Sequence, residues 1–162
     1  LAPHGILLSH ERPRILETGG GLKAALPLLN GDPVFTLNTD AIWAGPNPLK
    51  LLKDAWDPAH MDALLMCIAP DRALGHGGAG DFIAGPDGYA RRGHGLIYGG
   101  AQILKTGGLA AIDEAAFSLN MLWDRILQKR RLRILVYPGR WCDLSRPQNI
   151  ALAENLLANP DV

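Results

Sequence analysis

The sequence predicts one three-layer α/β domain with a mostly parallel sheet. Three observations carry that expectation. Short apolar runs alternate with amphipathic segments along all 162 residues, which is the signature of strands alternating with helices. One run, "MDALLMCIA" (61–69), is apolar at nearly every position, as in a strand covered on both faces. No repeat, low-complexity tract or linker interrupts the chain, and its length suits one domain or most of one.

The elements follow in order. "GILLS" (5–9) is a short apolar run read as a strand. "GGLKAALPLLN" (20–30) has apolar spacing near 3.6 and stops at Asn30-Gly31, so it reads as a helix. "PVFTLN" (33–38) is β-rich. "NPLKLLKDAW" (47–56) offers Asn47 as N-cap and Pro48 at the first helical position. After the apolar strand at 61–69, "GDFIAGPDGYARRG" (80–93) sets two short runs around Pro86-Asp87-Gly88, an antiparallel hairpin with a stated turn chemistry. "GLIYGGAQIL" (95–104) is a strand and "SLNMLWDRILQKR" (118–130) an amphipathic helix capped by Ser118, with cations in its last turn. "LRILVYP" (132–138) is a strand, and "RPQNIALAENLLAN" (146–159) closes as a helix.

Composition narrows the function. Apolar residues make up 48% of the chain and charged residues 20%, with zero net charge. That is a soluble globular composition without the basic excess that draws nucleic acid or membrane surfaces. Cys67 and Cys142 lack metal-ligand spacing and read as reduced thiols of a cytoplasmic protein. No run approaches the length of a membrane span.

The stretch "ETGGGLKAALPLL" (17–29) puts three glycines at the start of a helix, where each costs about 1 kcal/mol relative to alanine. Glycines between a strand and a helix N-terminus let a ligand approach the main chain and its outward N–H groups; alternatively they only turn the chain. "FTLNTDAIW" ends a strand in Asn38, Thr39 and Asp40. A carboxylate at a strand's carboxyl end suits a hard cation such as Mg²⁺, which takes one or two protein carboxylates plus phosphate oxygens; alternatively Asp40 caps the next segment. Asp143 follows the strand at 132–138 and reads as a second metal carboxylate or as the cap of the closing helix. Met121, Leu122 and Trp123 are expected in the core, Trp43 over a bound ligand or in packing, and His76 and His94 in solvent.

The ordered series "ETGGG…AL", "FTLNTD", "GAGDF", "YGGAQI" and "GRWCDLSRPQNIALAENLL" resembles the sugar-1-phosphate nucleotidylyltransferases. More narrowly, it is similar to the N-acetylmuramate 1-phosphate uridylyltransferase group of peptidoglycan recycling. The resemblance runs across nearly the whole chain. It implies a Rossmann-like sheet and Mg²⁺-dependent attack by a sugar 1-phosphate on the α-phosphate of a nucleoside triphosphate, UTP in this group. Its products are a nucleotide-sugar and pyrophosphate. It also implies roles: Asp40 and Asp143 as catalytic metal ligands, and Glu17, Thr18, Gly19 and Gly20 against the nucleotide. Asn38, Gly80, Asp81, Tyr98 and Gly100 would lie on the sugar-phosphate side.

The sequence departs from the family pattern at three places. Thr39 stands where relatives carry a small residue before the first metal aspartate, and Asp143-Leu144-Ser145-Arg146-Pro147 replaces Asp-Val-Gly-Thr-Pro. No segment matches the family's arginine-containing Gly-rich loop and Pro-Lys-Pro stretch. The expectation is therefore that residues 1–162 form the C-terminal portion of a single nucleotidyltransferase domain, inactive alone. The alternatives are a non-catalytic nucleotide-sugar-binding relative and a metal-using glycosyltransferase.

Overall fold

The computed structural model describes residues 5–159. In chain order the elements are α1 (Glu17–Ala25), β1 (Val34–Leu37), β2 (Ala41–Ala44), α2 (Pro48–Ala55), β3 (Ala63–Ile68), β4 (Ala73–Leu74), β5 (Phe82–Ala84) and β6 (Ala90–Arg92). The chain continues with β7 (Ile97–Leu104), α3 (Asn120–Gln128), β8 (Leu132–Val136), β9 (Arg140–Asp143) and α4 (Ile150–Ala158).

Every residue of β3 is buried. Ala63, Leu65 and Cys67 face a cluster built with Leu122, Trp123 and Ile126 of α3, and Leu22 of α1 packs against it. Leu64, Met66 and Ile68 face the other side, with Leu52 of α2, Tyr137 and Trp141. A doubly covered central strand is what makes three layers, as the unbroken apolar run predicts. At α2, Asn47 Oδ1 accepts from the N–H groups of Leu49 (2.9 Å) and Lys50 (3.1 Å), with Pro48 at the first position. The β5–β6 hairpin turns through Pro86-Asp87-Gly88, where Gly88 N–H donates to Gly85 O.

The central sheet has the order β1-β7-β3-β8 and is mixed. β1, β3 and β8 share one direction, while β7 runs against both β1 and β3. "Mostly parallel" thus holds for strand directions, but two of the three pairings are antiparallel. The reason is connectivity. Parallel neighbours need a long crossover, usually a helix, and between β3 and β7 the chain has only short strands and turns.

Other expectations change as well. Residues 5–9 form no strand; Ile6, Leu7 and Leu8 are exposed, and no described strand pairs with them. Ser118 is not the cap residue of α3, which begins after Leu119; its hydroxyl accepts from Asn120 N–H at 3.2 Å. A second sheet, β2-β9-β4, was not expected.

The first two glycines of the triplet serve packing rather than an open main chain. The N–H groups of Gly19 and Gly20 both donate to Phe117 O, at 2.8 and 3.0 Å, so they do not point outward. A Cβ on Gly19 would lie 2.9 Å from Phe117 O, and one on Gly20 would overlap Ala115 O. The bare backbone lets the start of α1 lie directly on residues 115–117. A Cβ on Gly21 meets only the Glu11 carboxylate end. Gly20→Ala should therefore lower stability by about 1–3 kcal/mol, the usual overpacking cost. Gly21→Ala should be neutral or stabilising, because alanine outranks glycine in a helix by about 1 kcal/mol. Equal losses at both positions in thermal melts would refute the packing account.

Candidate active site

Two adjoining cavities lie at one end of the central sheet. The larger, about 360 Å³, is walled by Thr18 at the start of α1, Thr36 and Asn38 of the β1 end, Asp81, Tyr98, and Ser118, Asn120 and Trp123 around the start of α3. The smaller, about 170 Å³, is lined by Asp40, His76, Gly100, Trp141, Asp143 and Ser145, and it shares Asn38 and Tyr98 with the larger. Those shared residues make the two cavities one cleft with two halves. A further cavity of about 290 Å³ holds Asp62 and Lys105 at the other end of β3 and β7. There Asp62 pairs with Lys105 at 2.9 Å and with Arg131 at 3.0 Å.

Asp40 and Asp143 meet because β2 and β9 pair antiparallel, with Ala41 opposite Asp143. One step further, Leu144 N–H donates to Asp40 O at 2.8 Å. The Asp40 carboxylate is exposed, and no described residue hydrogen-bonds it. Asp143 is half-buried. Its Oδ1 accepts from Ser145 N–H at 2.7 Å, and its Oδ2 lies 3.7 Å from His76 Nδ1. The local turn on Ser145 replaces the helix-cap alternative, since α4 begins only after Asn149. Burial pushes the Asp143 carboxyl up, but hydrogen bonding from Ser145 and the nearby His76 imidazole outweigh it and hold the pKa below the ordinary carboxylate value. Asp143 is thus an anion at neutral pH.

The wall between the halves comes from β7. Asp81 Oδ2 accepts from Tyr98 N–H at 2.8 Å. Gly100 has φ +87 and its carbonyl accepts from Asn38 N–H at 2.8 Å. A Cβ on Gly100 would come within 2.8 Å of the Asn38 side chain. Thr18 Oγ1 accepts from Leu119 N–H at 3.0 Å, which ties α1 to the α3 entrance.

Of the residues singled out from sequence, Thr18, Asn38, Asp40, Asp81, Tyr98, Gly100 and Asp143 line the cleft. Gly19 and Gly20 are buried behind it, with their N–H groups spent on Phe117. Gly80 is set by the hairpin base, where a Cβ would collide with the Gly95 backbone. Glu17 is exposed at the start of α1 with φ +61, a costly conformation for a residue with a side chain. Sequence reasoning missed Thr36, Ser118 and Asn120 as cleft residues and put His76 in solvent; Trp123 is in the core as expected and also borders the larger half. Trp43 packs edge-on against Tyr137 at 4.9 Å.

Among the described residues no group of three His, Cys, Asp or Glu side chains could hold a metal ion. A Mg²⁺ site needs fewer: one or two carboxylates, with water and phosphate oxygens completing the shell. The unengaged Asp40 carboxylate and the ionised Asp143 fit that requirement. No Lys or Arg lines either half of the cleft.

No family model matches the chain. The chain shares its fold with several solved structures. HddC from Yersinia pseudotuberculosis, complexed with GMP-PN, superposes with a TM-score of 0.68 at 19% identity over 90% of this chain. The inositol-1-phosphate CTP transferase of T. maritima gives 0.66 at 12% over 91%. A putative glucose-1-phosphate thymidylyltransferase from Bacillus anthracis gives 0.69 at 11% over 93%. The chain spans 64% of the length of each. The fold is therefore that of the sugar-phosphate nucleotidyltransferases. Over 98% of its length the chain is also 39% identical to the N-acetylmuramate alpha-1-phosphate uridylyltransferase of Caulobacter vibrioides, covering 68% of that protein. The chain belongs to that uridylyltransferase family.

The Asp143 carboxyl gives a direct test of the site's electrostatics. In metal-free protein followed by NMR, it should titrate below the free aspartate value, and Ser145→Ala should move it up by removing the hydroxyl. The associated stability is present above the unfolded pKa and is lost as pH falls through the folded one. An Asp143 that titrates at or above the free value would overturn this account.

Proposed function

We propose that the protein transfers a nucleotidyl group from a nucleoside triphosphate, UTP, to a sugar 1-phosphate, N-acetylmuramate 1-phosphate. The observation that carries the reading is the meeting of Asp40 and Asp143 in one half of the cleft, in a chain 39% identical to a uridylyltransferase of that name. In the reaction, a phosphate oxygen of the sugar 1-phosphate forms a bond to the α-phosphorus. The bond between the α-phosphorus and its bridging oxygen breaks, and pyrophosphate leaves with the electron pair. Asp40 and Asp143 would hold Mg²⁺, which neutralises charge developing on the α-phosphate. Asn38, Asp81 and Tyr98 supply polar contacts for the acceptor sugar, with Gly80 shaping the loop behind them and Gly100 giving the sugar close access to the main chain. Glu17 and Thr18 would contact the nucleotide, Thr18 from the wall of the larger half, with Gly19 and Gly20 acting through the packing that sets Thr18.

The same reading treats residues 1–162 as the C-terminal portion of one nucleotidyltransferase domain and leaves the grip on the triphosphate to residues outside them. It assigns the protein to the cytoplasm and to nucleotide-sugar synthesis in cell-wall recycling. No described helix is long and apolar enough to cross a membrane. The competing reading is a nucleotide-sugar binder without catalysis. A pyrophosphate-release screen of the full-length protein over nucleotides and sugar 1-phosphates decides between them.

The carboxylates act when charge builds on the α-phosphate, so their loss should lower turnover more than nucleotide affinity. Asp40→Asn and Asp143→Asn should each cut turnover by about 10²–10³, the usual cost of one electrostatic stabiliser. Melting curves should stay cooperative. Because both act through one cation, the double variant should fall well short of the product of the two. Near-normal turnover of Asp143→Asn would remove Asp143 from the mechanism.

A further inference from the structure

Among the described residues two polar side chains are buried: Gln102, completely, and Asn149, at 5% exposure. Neither lines the cleft, and each lies behind a different half of it. Buried amides persist only when their hydrogen bonds are met, and here the partners that meet them belong to the cleft wall.

Gln102 Nε2 donates to Thr36 Oγ1 at 2.9 Å, and its Oε1 accepts from Trp123 Nε1–H at 2.9 Å. Both partners line the larger half. Trp123 in turn packs edge-on against Tyr98 at 4.8 Å. One amide therefore fixes a wall that comes from three elements, β1, β7 and α3.

Asn149 Nδ2 donates to Asp143 O at 2.8 Å and to Gly75 O at 3.1 Å. Gly75 has φ +74, and a Cβ there would come within 2.5 Å of Asn149 Nδ2. The amide thus fastens the corner from which His76 reaches Asp143 and, at the same time, the main chain of Asp143. Its bonds go to the carboxylate half alone.

We propose that Gln102 and Asn149 are positioning residues for the two halves: Gln102 sets the Thr36–Trp123–Tyr98 wall for the acceptor sugar, and Asn149 sets Asp143 and His76. This rests on the nucleotidyl-transfer reading above. Its consequence is separability, since the direct hydrogen bonds of Gln102 go to Thr36 and Trp123 of the larger half and those of Asn149 to Asp143 and Gly75 on the carboxylate side.

The test uses the full-length protein with UTP, N-acetylmuramate 1-phosphate and Mg²⁺, read by pyrophosphate release. Gln102→Leu should raise KM for the sugar 1-phosphate about tenfold, the worth of one to two lost hydrogen bonds, and leave the Mg²⁺ concentration for half-maximal turnover unchanged. Asn149→Ala should leave that KM unchanged and lower kcat or Mg²⁺ affinity about 10–100-fold, as removed supports of metal ligands do. Gln102→Glu keeps the acceptor for Trp123 and should recover part of the loss. Where the larger changes prevent folding, Gln102→Glu and Asn149→Ser carry the same comparison. A purely structural role would lower melting temperatures and move the parameters together or leave them alike in both variants; either result overturns the proposal. If the wild type releases no pyrophosphate, the activity reading has failed. The positioning claim is then judged by calorimetric titration with the sugar 1-phosphate and with Mg²⁺ separately. Gln102→Leu must weaken only the first and Asn149→Ala only the second. A wild type that binds neither probe overturns the proposal as well.

Discussion

The cleft depends on one irregularity in β7. Its ladder with β3 breaks between Met66, which faces Ala101, and Cys67, which faces Tyr98. Gly99 and Gly100 are therefore extra residues on one side. Side chains alternate with period two along a strand, so a single extra residue would turn everything beyond it to the wrong face. Two extra residues preserve the faces: Ala101 and Ile97 stay with the cluster on the α2 side, and Tyr98 stays with the α3 side. Only small residues fit there, because a Cβ on Gly99 would meet Trp43 at 2.7 Å and Ile68 at 3.1 Å. The displaced Gly100 carbonyl then catches Asn38 N–H one residue beyond β1. That bond aims the chain at Asp40, and the same bulge puts Tyr98 between the two halves of the cleft.

The parts legible in the sequence were those whose cause is local. The apolar run of β3, the Asn47-Pro48 start of α2 and the Pro86-Asp87-Gly88 hairpin each carry their explanation within a few residues. The direction of β7 was also within reach, since no helix separates it from β3. What the sequence hid depends on partners far away. β2 and β9 are four residues each and meet across about a hundred positions, so neither "AIWA" nor "RWCD" announces a strand. The pairing of Asp40 and Asp143 was one of two readings of the residues and was favoured by the family resemblance, while the ladder that produces it came from the structure. His76 looked like a loop histidine because nothing near it in sequence shows that Gly75 is pinned by Asn149.

The glycine triplet shows how a local reading can name the right region for the wrong reason. Its glycines do sit beside the cleft, but the atoms that come close are Ala115 and Phe117 rather than a ligand. That contact still shapes the site. With the first turn of α1 lying directly on residues 115–117, Thr18 reaches Leu119 N–H and joins Ser118 and Asn120 in one wall. Asn120 is held from behind by Arg92, whose guanidinium donates to Asn120 Oδ1 and Asp124 Oδ1 and stacks over Phe82. The hairpin thereby braces the cleft without lining it.

Charge decides how such a cleft can handle phosphates. Asp40, Asp81 and Asp143 line it, and no Lys or Arg does. Two like unit charges 4 Å apart repel by about 4 kcal/mol at an effective dielectric of 20. These described carboxylates thus repel a phosphate entering beside them, and a cation bound between them would offset that repulsion. Asp81 is partly spoken for by Tyr98 N–H, and Asp143 by Ser145 and His76; Asp40 is the carboxylate left free to hold one. Neutralising Asp40 would relieve repulsion toward an anionic substrate and at the same time weaken the hold on the cation that makes that substrate reactive. On the proposed reading the two effects partly cancel in affinity but not in turnover, which a carboxylate serving only to cap a loop would not produce.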